Sequence, residues 1–134
     1  MSVFTTYAAI AAGGAAGAMT RHASINLIQN WNNGTTVMLS GLPLGTWLVN
    51  VSGSLLIGIL YVLLVERLPV NTELRALLMA GFLGAFTTFS SYSLDTLLLI
   101  ERGLVIQALI YTLGSVVFCL LATWLGMALT RALA

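Results

Sequence analysis

Four long stretches of apolar residues, separated by short polar or charged links, make up most of the chain. Uncharged stretches of about 20 residues are long enough to cross a bilayer as helices. The pattern predicts transmembrane helices over residues 3–27, 44–65, 76–100 and 103–130. The links, including the charged one from Glu66 to Arg75, are too short to hold a water-soluble domain. The sequence therefore predicts an all-α membrane protein, a single transmembrane domain over residues 1–134 with four transmembrane helices per subunit.

The third apolar stretch carries a cluster of polar residues at its centre. Lipid offers these side chains no hydrogen-bond partner, so they must face protein, water or a ligand. Two glycines, Gly81 and Gly84, precede the cluster and weaken the helix, as do hydroxyls that compete for backbone bonds. We expect a helix broken at mid-membrane, which exposes backbone groups as ion sites in membrane proteins do. Alternatively, the hydroxyls bond back to their own helix and the glycines only allow close packing. The polar residues are Thr87, Thr88, Ser90, Ser91, Tyr92 and Ser93.

Small and polar residues also form stripes at four-residue spacing in the second and fourth stretches. This spacing places the members of each stripe on one face of a helix. Such a stripe alone is more typical of helix packing, with Asn as interhelical glue, than of a pathway. Two stripes facing a broken, hydroxyl-rich helix favour a pathway. The stripes consist of Thr46, Asn50, Ser54 and Gly58, and of Tyr111, Ser115 and Cys119.

The charge content supports the membrane assignment and excludes other classes of protein. Only 7% of the 134 residues are charged, which cannot cover a water-facing surface. The net charge of +1, without a basic stripe, excludes a nucleic-acid binder. Cys119 is the single cysteine and His22 the single histidine, which excludes a disulfide framework and a cysteine-based metal site.

The five arginines give almost no instruction about orientation. With four helices, one side of the membrane would carry Arg67, Arg75 and Arg131, and the other Arg21 and Arg102. A clear excess on one side normally sets the orientation. We therefore expect insertion both ways up and an antiparallel, dual-topology homodimer, whose two-fold symmetry supplies eight helices.

The predicted pathway offers neutral groups to whatever passes through it. No Lys or Arg lies near mid-depth and acids are few, so neither a charged anion filter nor a carboxylate-lined cation pore is indicated. Amide and hydroxyl donors remain, together with aromatic ring edges, which carry the positive part of the ring quadrupole. These groups suit a small, hard anion. The rings belong to Phe82, Phe86, Phe89 and Tyr92, of which we expect the first two to be packing residues.

Three motifs in the chain resemble those of the Fluc (CrcB) fluoride channels. They are Gly-Ala-x-x-Arg at residues 17–21, Gly-Thr-x-x-x-Asn-x-x-Gly at residues 45–53, and Gly-Phe-Leu-Gly-x-x-Thr-Thr-Phe-Ser at residues 81–90. The resemblance extends over essentially the whole chain and its four-span layout. It implies a dual-topology homodimer with two pores in the inner (plasma) membrane, which passively conducts fluoride out of the cytoplasm.

The resemblance also implies roles for particular residues. The family's fluoride path corresponds to Asn50, Phe89 and Tyr92, and its fourth-span polar track to Tyr111, Ser115 and Cys119. We include the neighbouring Thr46, Ser90 and Ser91 in the candidate path. A structural sodium ion at the dimer centre would take the backbone carbonyls of Gly84 and Thr87. Arg21 either draws anions to a vestibule or anchors the helix by snorkelling.

The chain departs from the family at three positions. Tyr92 stands where the family more usually has Phe, and its hydroxyl either donates to fluoride or obstructs the pore. Asp95 replaces an expected Glu, and Cys119 replaces a Ser with a weaker donor.

Two other functions fit the same architecture. A small multidrug resistance-type, proton-coupled exporter of cations needs a membrane-embedded carboxylate, typically in its first span, where this chain has none. A non-transporting assembly subunit would use its polar stripes only to hold helices together.

Overall fold

Helices form nearly all of the part of the chain that the computed structural model describes, residues 3–32 and 41–133. No strand occurs within these ranges, which confirms the all-α prediction. Residues 72–86 form one continuous helical segment, of which Ala76–Leu83 is π-helical, as is the end of α2 over Val62–Arg67. The helices are α1 (Val3–Asn32), α2 (Leu44–Arg67), α3 (residues 72–86), α4 (Phe89–Glu101) and α5 (Val105–Leu133).

Three helical runs are long and apolar enough to cross a membrane, judged within the described residues. They are α2 with 24 residues, α3 together with α4 with 30, and α5 with 29. The helix α1 has 30 residues, but alanine, glycine and threonine make up much of it, so it is less apolar. The length and composition of these runs indicate an integral membrane protein.

The ends of the helices differ from the predicted ones by a few residues. The helix α1 continues beyond its predicted end at residue 27 and ends at Asn32. At the start of α3, the side chain of Asn71 accepts a hydrogen bond of 2.9 Å from the Leu74 N–H. This N-cap starts the helix at Thr72 rather than at residue 76. The final helix begins two residues later than predicted, after Gly103, whose φ of 75° ends the preceding turn. Residues 33–40 of the predicted first link lie outside the described residues.

Glycines let two pairs of helices approach each other closely. On α1, a Cβ added at Gly17 would overlap the Phe82 carbonyl of α3, and Gly13, one turn earlier, packs equally closely. On α2, a Cβ at Gly58 would overlap the Thr123 carbonyl of α5. Gly13 and Gly17 thus form a close-packing face on α1, and the helices pair as α1 with α3 and α2 with α5.

Polar contacts join helix ends that lie at the same end of the bundle. The Thr5 hydroxyl donates to Glu73 at 3.2 Å, which joins the start of α1 to the start of α3. Arg131 near the end of α5 donates to both carboxylate oxygens of Glu66 at the end of α2, at 2.6 and 3.0 Å. The described helices therefore run back and forth between two ends, as alternating membrane crossings require.

The buried core of the single chain is small. It consists of two clusters of apolar side chains, one around Val49, Leu83 and Phe86, and the other around Leu99 and Ala108. Many large apolar side chains point outward, more of them on α5 than on any other described helix. Leu and Ile side chains exposed in this way are soluble only in lipid or against another protein surface. Examples on α5 are Ile106, Ile110, Leu113 and Leu120, each 61–67% exposed.

Candidate functional site

The predicted break in the third span lies between α3 and α4. Thr87 (φ −81°, ψ 159°) and Thr88 (φ −152°, ψ 121°) adopt extended backbone conformations between the two helical segments. The Thr88 hydroxyl accepts a hydrogen bond of 3.1 Å from the Ser91 N–H and thereby caps the N-terminus of α4. Threonine is a preferred N-cap residue because its side chain replaces a missing helical acceptor. The local sequence thus ends one helix and starts the next at mid-span.

A single side chain of α2 holds the backbone at this break. The Asn50 amide donates to the Thr88 carbonyl at 3.0 Å, and the Thr88 N–H donates to the Asn50 carbonyl oxygen at 2.8 Å. In a continuous helix, the Thr88 N–H would donate to Gly84 instead. Thr88 is only 7% exposed, so both of its backbone groups need protein partners. Asn50 supplies both and keeps the helix broken.

A cavity of about 390 Å³ opens beside the break, between α2, α3, α4 and α5. Four of the predicted path residues lie on its wall, namely Asn50, Phe89, Tyr92 and Ser115. The predicted polar-track residue Cys119 joins them there. No charged side chain occurs among the described residues that line the cavity. The remaining lining residues are Gly53, Ser54, Ile57, Met79, Leu83, Gly84, Thr87, Thr88 and Val116.

The other four predicted path residues lie outside the cavity wall. The hydroxyls of Ser90 and Ser91 turn back to the Thr88 hydroxyl, at 3.2 and 3.1 Å. Tyr111 is 4% exposed and donates to the Asp95 carboxylate at 3.4 Å. Thr46, with 6% exposure, is buried on α2. These residues surround the cavity residues, and their place on an ion path stays a prediction.

Aromatic rings form a row from the cavity into the protein. The Phe89 ring, 78% exposed in the single chain, lies 5.3 Å from the Tyr92 ring, measured between centroids. The Tyr92 ring lies 5.5 Å from that of Tyr111. Phe82 and Phe86 stack on each other 5.9 Å apart and lie outside the cavity wall, in keeping with the expected packing role.

Arg21 reaches the backbone of the break rather than the cavity. Its guanidinium donates to the Thr87 carbonyl at 3.4 Å, and Arg21 does not line the cavity. The predicted roles, a vestibule for anions or a membrane anchor, did not include this contact. His22 is exposed on α1 and bonds with Asn26, 3.0 Å away on the same helix.

The backbone carbonyls at the break are chemically suitable for a small, hard cation. Gly84 is exposed on the cavity wall, and its usual helical donor, the Thr88 N–H, is engaged with Asn50. The Thr87 carbonyl already accepts from a cationic group, the Arg21 guanidinium. Carbonyl oxygens are hard ligands for alkali and alkaline-earth cations. No group of three His, Cys, Asp or Glu side chains that could hold a metal ion occurs among the described residues.

Besides the contact of Arg21, two further contacts at the site were not predicted from the sequence. One is the pairing of Asn50 with Thr88, which lie 38 positions apart. The other is a hydrogen bond of 3.3 Å from the Tyr92 hydroxyl to the Thr112 carbonyl of α5. The cost of an amide in an apolar helix signals that Asn50 needs partners, but it does not identify them.

The chain is similar to a known family of proteins and to several of its members. A family model described as CrcB-like protein, Camphor Resistance (CrcB), matches residues 8–127. The chain is 49% identical over 125 residues to a protein of Pseudomonas putida strain F1 named fluoride-specific ion channel FluC, covering 92% of this chain and 95% of the relative. A FluC protein of Hahella chejuensis is 43% identical, with 91% of each chain covered.

A longer relative matches as well. The FluC protein of Methylococcus capsulatus strain Bath is 46% identical over 126 residues, which is 94% of this chain. The chain spans about half of that relative's length, 53%.

Proposed function

Because the chain belongs to the CrcB family, we propose that it is a fluoride-selective, passive ion channel. The family comprises channels rather than enzymes, and the relatives from three genera carry the name fluoride-specific ion channel. The chain covers nearly the full length of two of them. Its cavity residues therefore serve conduction rather than a chemical reaction.

The observation that carries this proposal is the break at Thr87 and Thr88, which Asn50 holds open beside the cavity. The wall there carries neutral polar groups, the Asn50 amide and several hydroxyls, together with the rings of Phe89 and Tyr92. Fluoride is expensive to dehydrate, and closely placed neutral donors can replace its water without holding it as a full positive charge would.

The direction of transport follows from the chemistry of the ion and from the membrane potential. Hydrogen fluoride crosses membranes as the neutral acid and ionises inside the cell. The negative interior potential then drives the anion outward through an open pore, at about 2.3 kcal/mol per charge for 100 mV. A channel in the inner, or plasma, membrane thus exports cytoplasmic fluoride without another energy source.

The assembly we propose is an antiparallel, dual-topology homodimer in which α1 is a fourth span. Three observations support it. The cavity is open in the single chain, the ring of Phe89 on its wall is 78% exposed, and large apolar side chains cover the outer face of α5. A second copy would cover such surfaces through a two-fold interface. The nearly even distribution of arginines allows both orientations.

The proposal includes a structural sodium ion at the dimer centre. The carbonyls of Gly84 and Thr87 from each subunit would hold it, since both lie at the break and are suitable ligands. A bound cation supplies positive charge at mid-membrane, which offsets the charge of nearby anions. Arg21 contributes to the same end by donating to the Thr87 carbonyl.

The exporter alternative receives no support from the position of the membrane carboxylate. Coupling of protons to a cationic substrate requires an acid in the substrate cavity. Asp95 is bonded to Tyr111 and does not line the main cavity.

The decisive experiment measures ion release from liposomes that contain the purified protein. Liposomes loaded with potassium fluoride or potassium chloride receive a potassium ionophore, and ion-selective electrodes follow the anion. We expect fast release of fluoride and negligible release of chloride. The Phe89→Leu variant should suppress release, while Ser52→Ala, an exposed position of α2 off the cavity, should not. Equal release of both anions, or none, would refute the channel; a one-sided signal from reporters fused after Ala134 would refute dual topology.

A further inference from the structure

The hydroxyl of Tyr92 is directed to the backbone of α5. It donates to the Thr112 carbonyl at 3.3 Å. Thr96, one turn further along α4, donates to the Tyr92 carbonyl at 2.9 Å and lies 3.3 Å from the Thr112 hydroxyl. The Tyr92 side chain is thus one member of a hydrogen-bonded group that joins α4 to α5 beside the cavity.

The ring of Tyr92 is also restrained by its aromatic neighbours. Phe89 on one side and Tyr111 on the other lie 5.3 and 5.5 Å away, with their planes tilted by 43° and 38° to that of Tyr92. Tyr111 cannot move aside easily, because it is buried and donates to Asp95. Both the ring and the hydroxyl of Tyr92 therefore have partners, while the residue still lines the cavity.

A phenol has a single O–H donor. Since the Thr112 carbonyl accepts the hydrogen bond from this donor, the hydroxyl could donate to a passing anion only after the bond has broken. On the same wall, the Asn50 amide has two N–H donors, and the bond to the Thr88 carbonyl uses one of them.

From this geometry we propose that Tyr92 is a positioning residue, whose hydroxyl fastens the ring at the cavity wall by binding the Thr112 carbonyl and does not bind the anion. The inference rests on the proposed channel function. Fastening has a cost for conduction, because an ion that passes the ring must displace it against this bond. A net hydrogen bond corresponds to about a fivefold change in the balance between fastened and released rings. Removal of the hydroxyl should therefore speed conduction.

The first test compares fluoride release by wild type and the Tyr92→Phe variant, at equal protein per liposome. We expect release to be about fivefold faster in the variant, with chloride release still negligible. The matched control is Tyr7→Phe, at a position of α1 that is 66% exposed and far from the cavity wall, which should leave the rate unchanged. Slower release by Tyr92→Phe would mean that the hydroxyl serves the ion and would overturn the proposal, as would an unchanged rate.

The second test reports on the hydroxyl without relying on ion flux. Protein labelled with ¹³C at the ζ carbon of tyrosine is placed in an equal mixture of H₂O and D₂O, and the signal absent from Tyr92→Phe is assigned to Tyr92. A fastened hydroxyl exchanges slowly, so its OH and OD forms give two resolved lines. We expect these two lines both in the absence and in the presence of fluoride. A single averaged line, or a line that shifts when fluoride is added, would overturn the proposal. Wild type that releases no fluoride but gives two lines would refute the channel function alone.

Discussion

Replacement of Asn50 by leucine tests the central contact of the site. Leucine has the same branched arrangement of side-chain heavy atoms as asparagine but can form neither of the two hydrogen bonds with Thr88, of 2.8 and 3.0 Å. Thr88 would keep its buried position with an unpaired N–H and an unpaired carbonyl. We expect Asn50→Leu to destabilise the fold and to suppress fluoride release, because the break then loses the side chain that holds it open.

The size of the loss follows from these two bonds. Interhelical hydrogen bonds in membrane proteins contribute about 0.6–2 kcal/mol each. A buried polar group left without a partner costs about 1–3 kcal/mol. The Thr88 N–H can recover part of this cost by returning to the Gly84 carbonyl, its partner in a continuous helix. We therefore expect the free energy of unfolding to fall by about 2–3 kcal/mol.

Titration with a denaturing detergent, followed by the fluorescence of the three tryptophans, measures this free energy. The matched control is Ser52→Ala on the same helix, whose hydroxyl only bonds back to the Val49 carbonyl at 3.1 Å. It should unfold as wild type does. If Asn50→Leu were as stable as wild type and released fluoride at the same rate, the reasoning that Asn50 holds the break would be refuted.

Two further predictions concern the packing and the capping of the helices. Gly13→Ala should weaken the contact of α1 with α3 by about 1–3 kcal/mol in the same titration, because the new Cβ meets backbone there. The control is Gly14→Ala, at a position that faces open space. Equal effects of the two substitutions would contradict the packing argument. Thr88→Val should cost about 1 kcal/mol by removing the N-cap of α4, whereas Thr88→Ser should retain it. A loss of similar size in Thr88→Ser would assign the effect to the methyl group instead.

The break itself could be predicted from local sequence, because its causes are local. Gly81 and Gly84 lower helix propensity, and Thr88 supplies its own N-cap to the Ser91 N–H. Asn50 could be singled out for a related reason, since an amide in an apolar helix demands partners. The need of Thr88 and Asn50 for hydrogen-bond partners arises from the cost of unpaired polar groups in lipid. That cost does not depend on how the helices pack, so it can be recognised from the sequence.

The partners of these groups could not be predicted, because they depend on how the helices pack. Asn50 and Thr88 are 38 positions apart, and neither sequence motif indicates that its partner lies in the other. The acceptor for Tyr92 is a backbone carbonyl, that of Thr112, which every residue of α5 could equally have supplied. For this reason the sequence left open whether the Tyr92 hydroxyl serves the ion, whereas the structure shows its partner.

The end of α1 was placed too early for a different reason. The predicted end at residue 27 followed the apolar pattern, and Arg21 lies before it, within the stretch; a long guanidinium side chain can leave its own helix and bond elsewhere. Here it reaches the Thr87 carbonyl of the break, and the helix continues to Asn32. A charge within an apolar stretch therefore marks a partner on another helix as readily as it marks the end of a helix.

The backbone groups of Thr87 and Thr88 at the break bind two different side chains, Arg21 and Asn50. This arrangement explains how the cavity wall can remain neutral. Asn50 satisfies both groups of Thr88 without adding charge, and Arg21 approaches the Thr87 carbonyl from outside the cavity. Among the described residues, the cationic side chain that reaches the break, Arg21, thus binds backbone and does not line the cavity. The polar groups that an anion would meet on the cavity wall are thus neutral, so they can stabilise it without holding it as a full positive charge would.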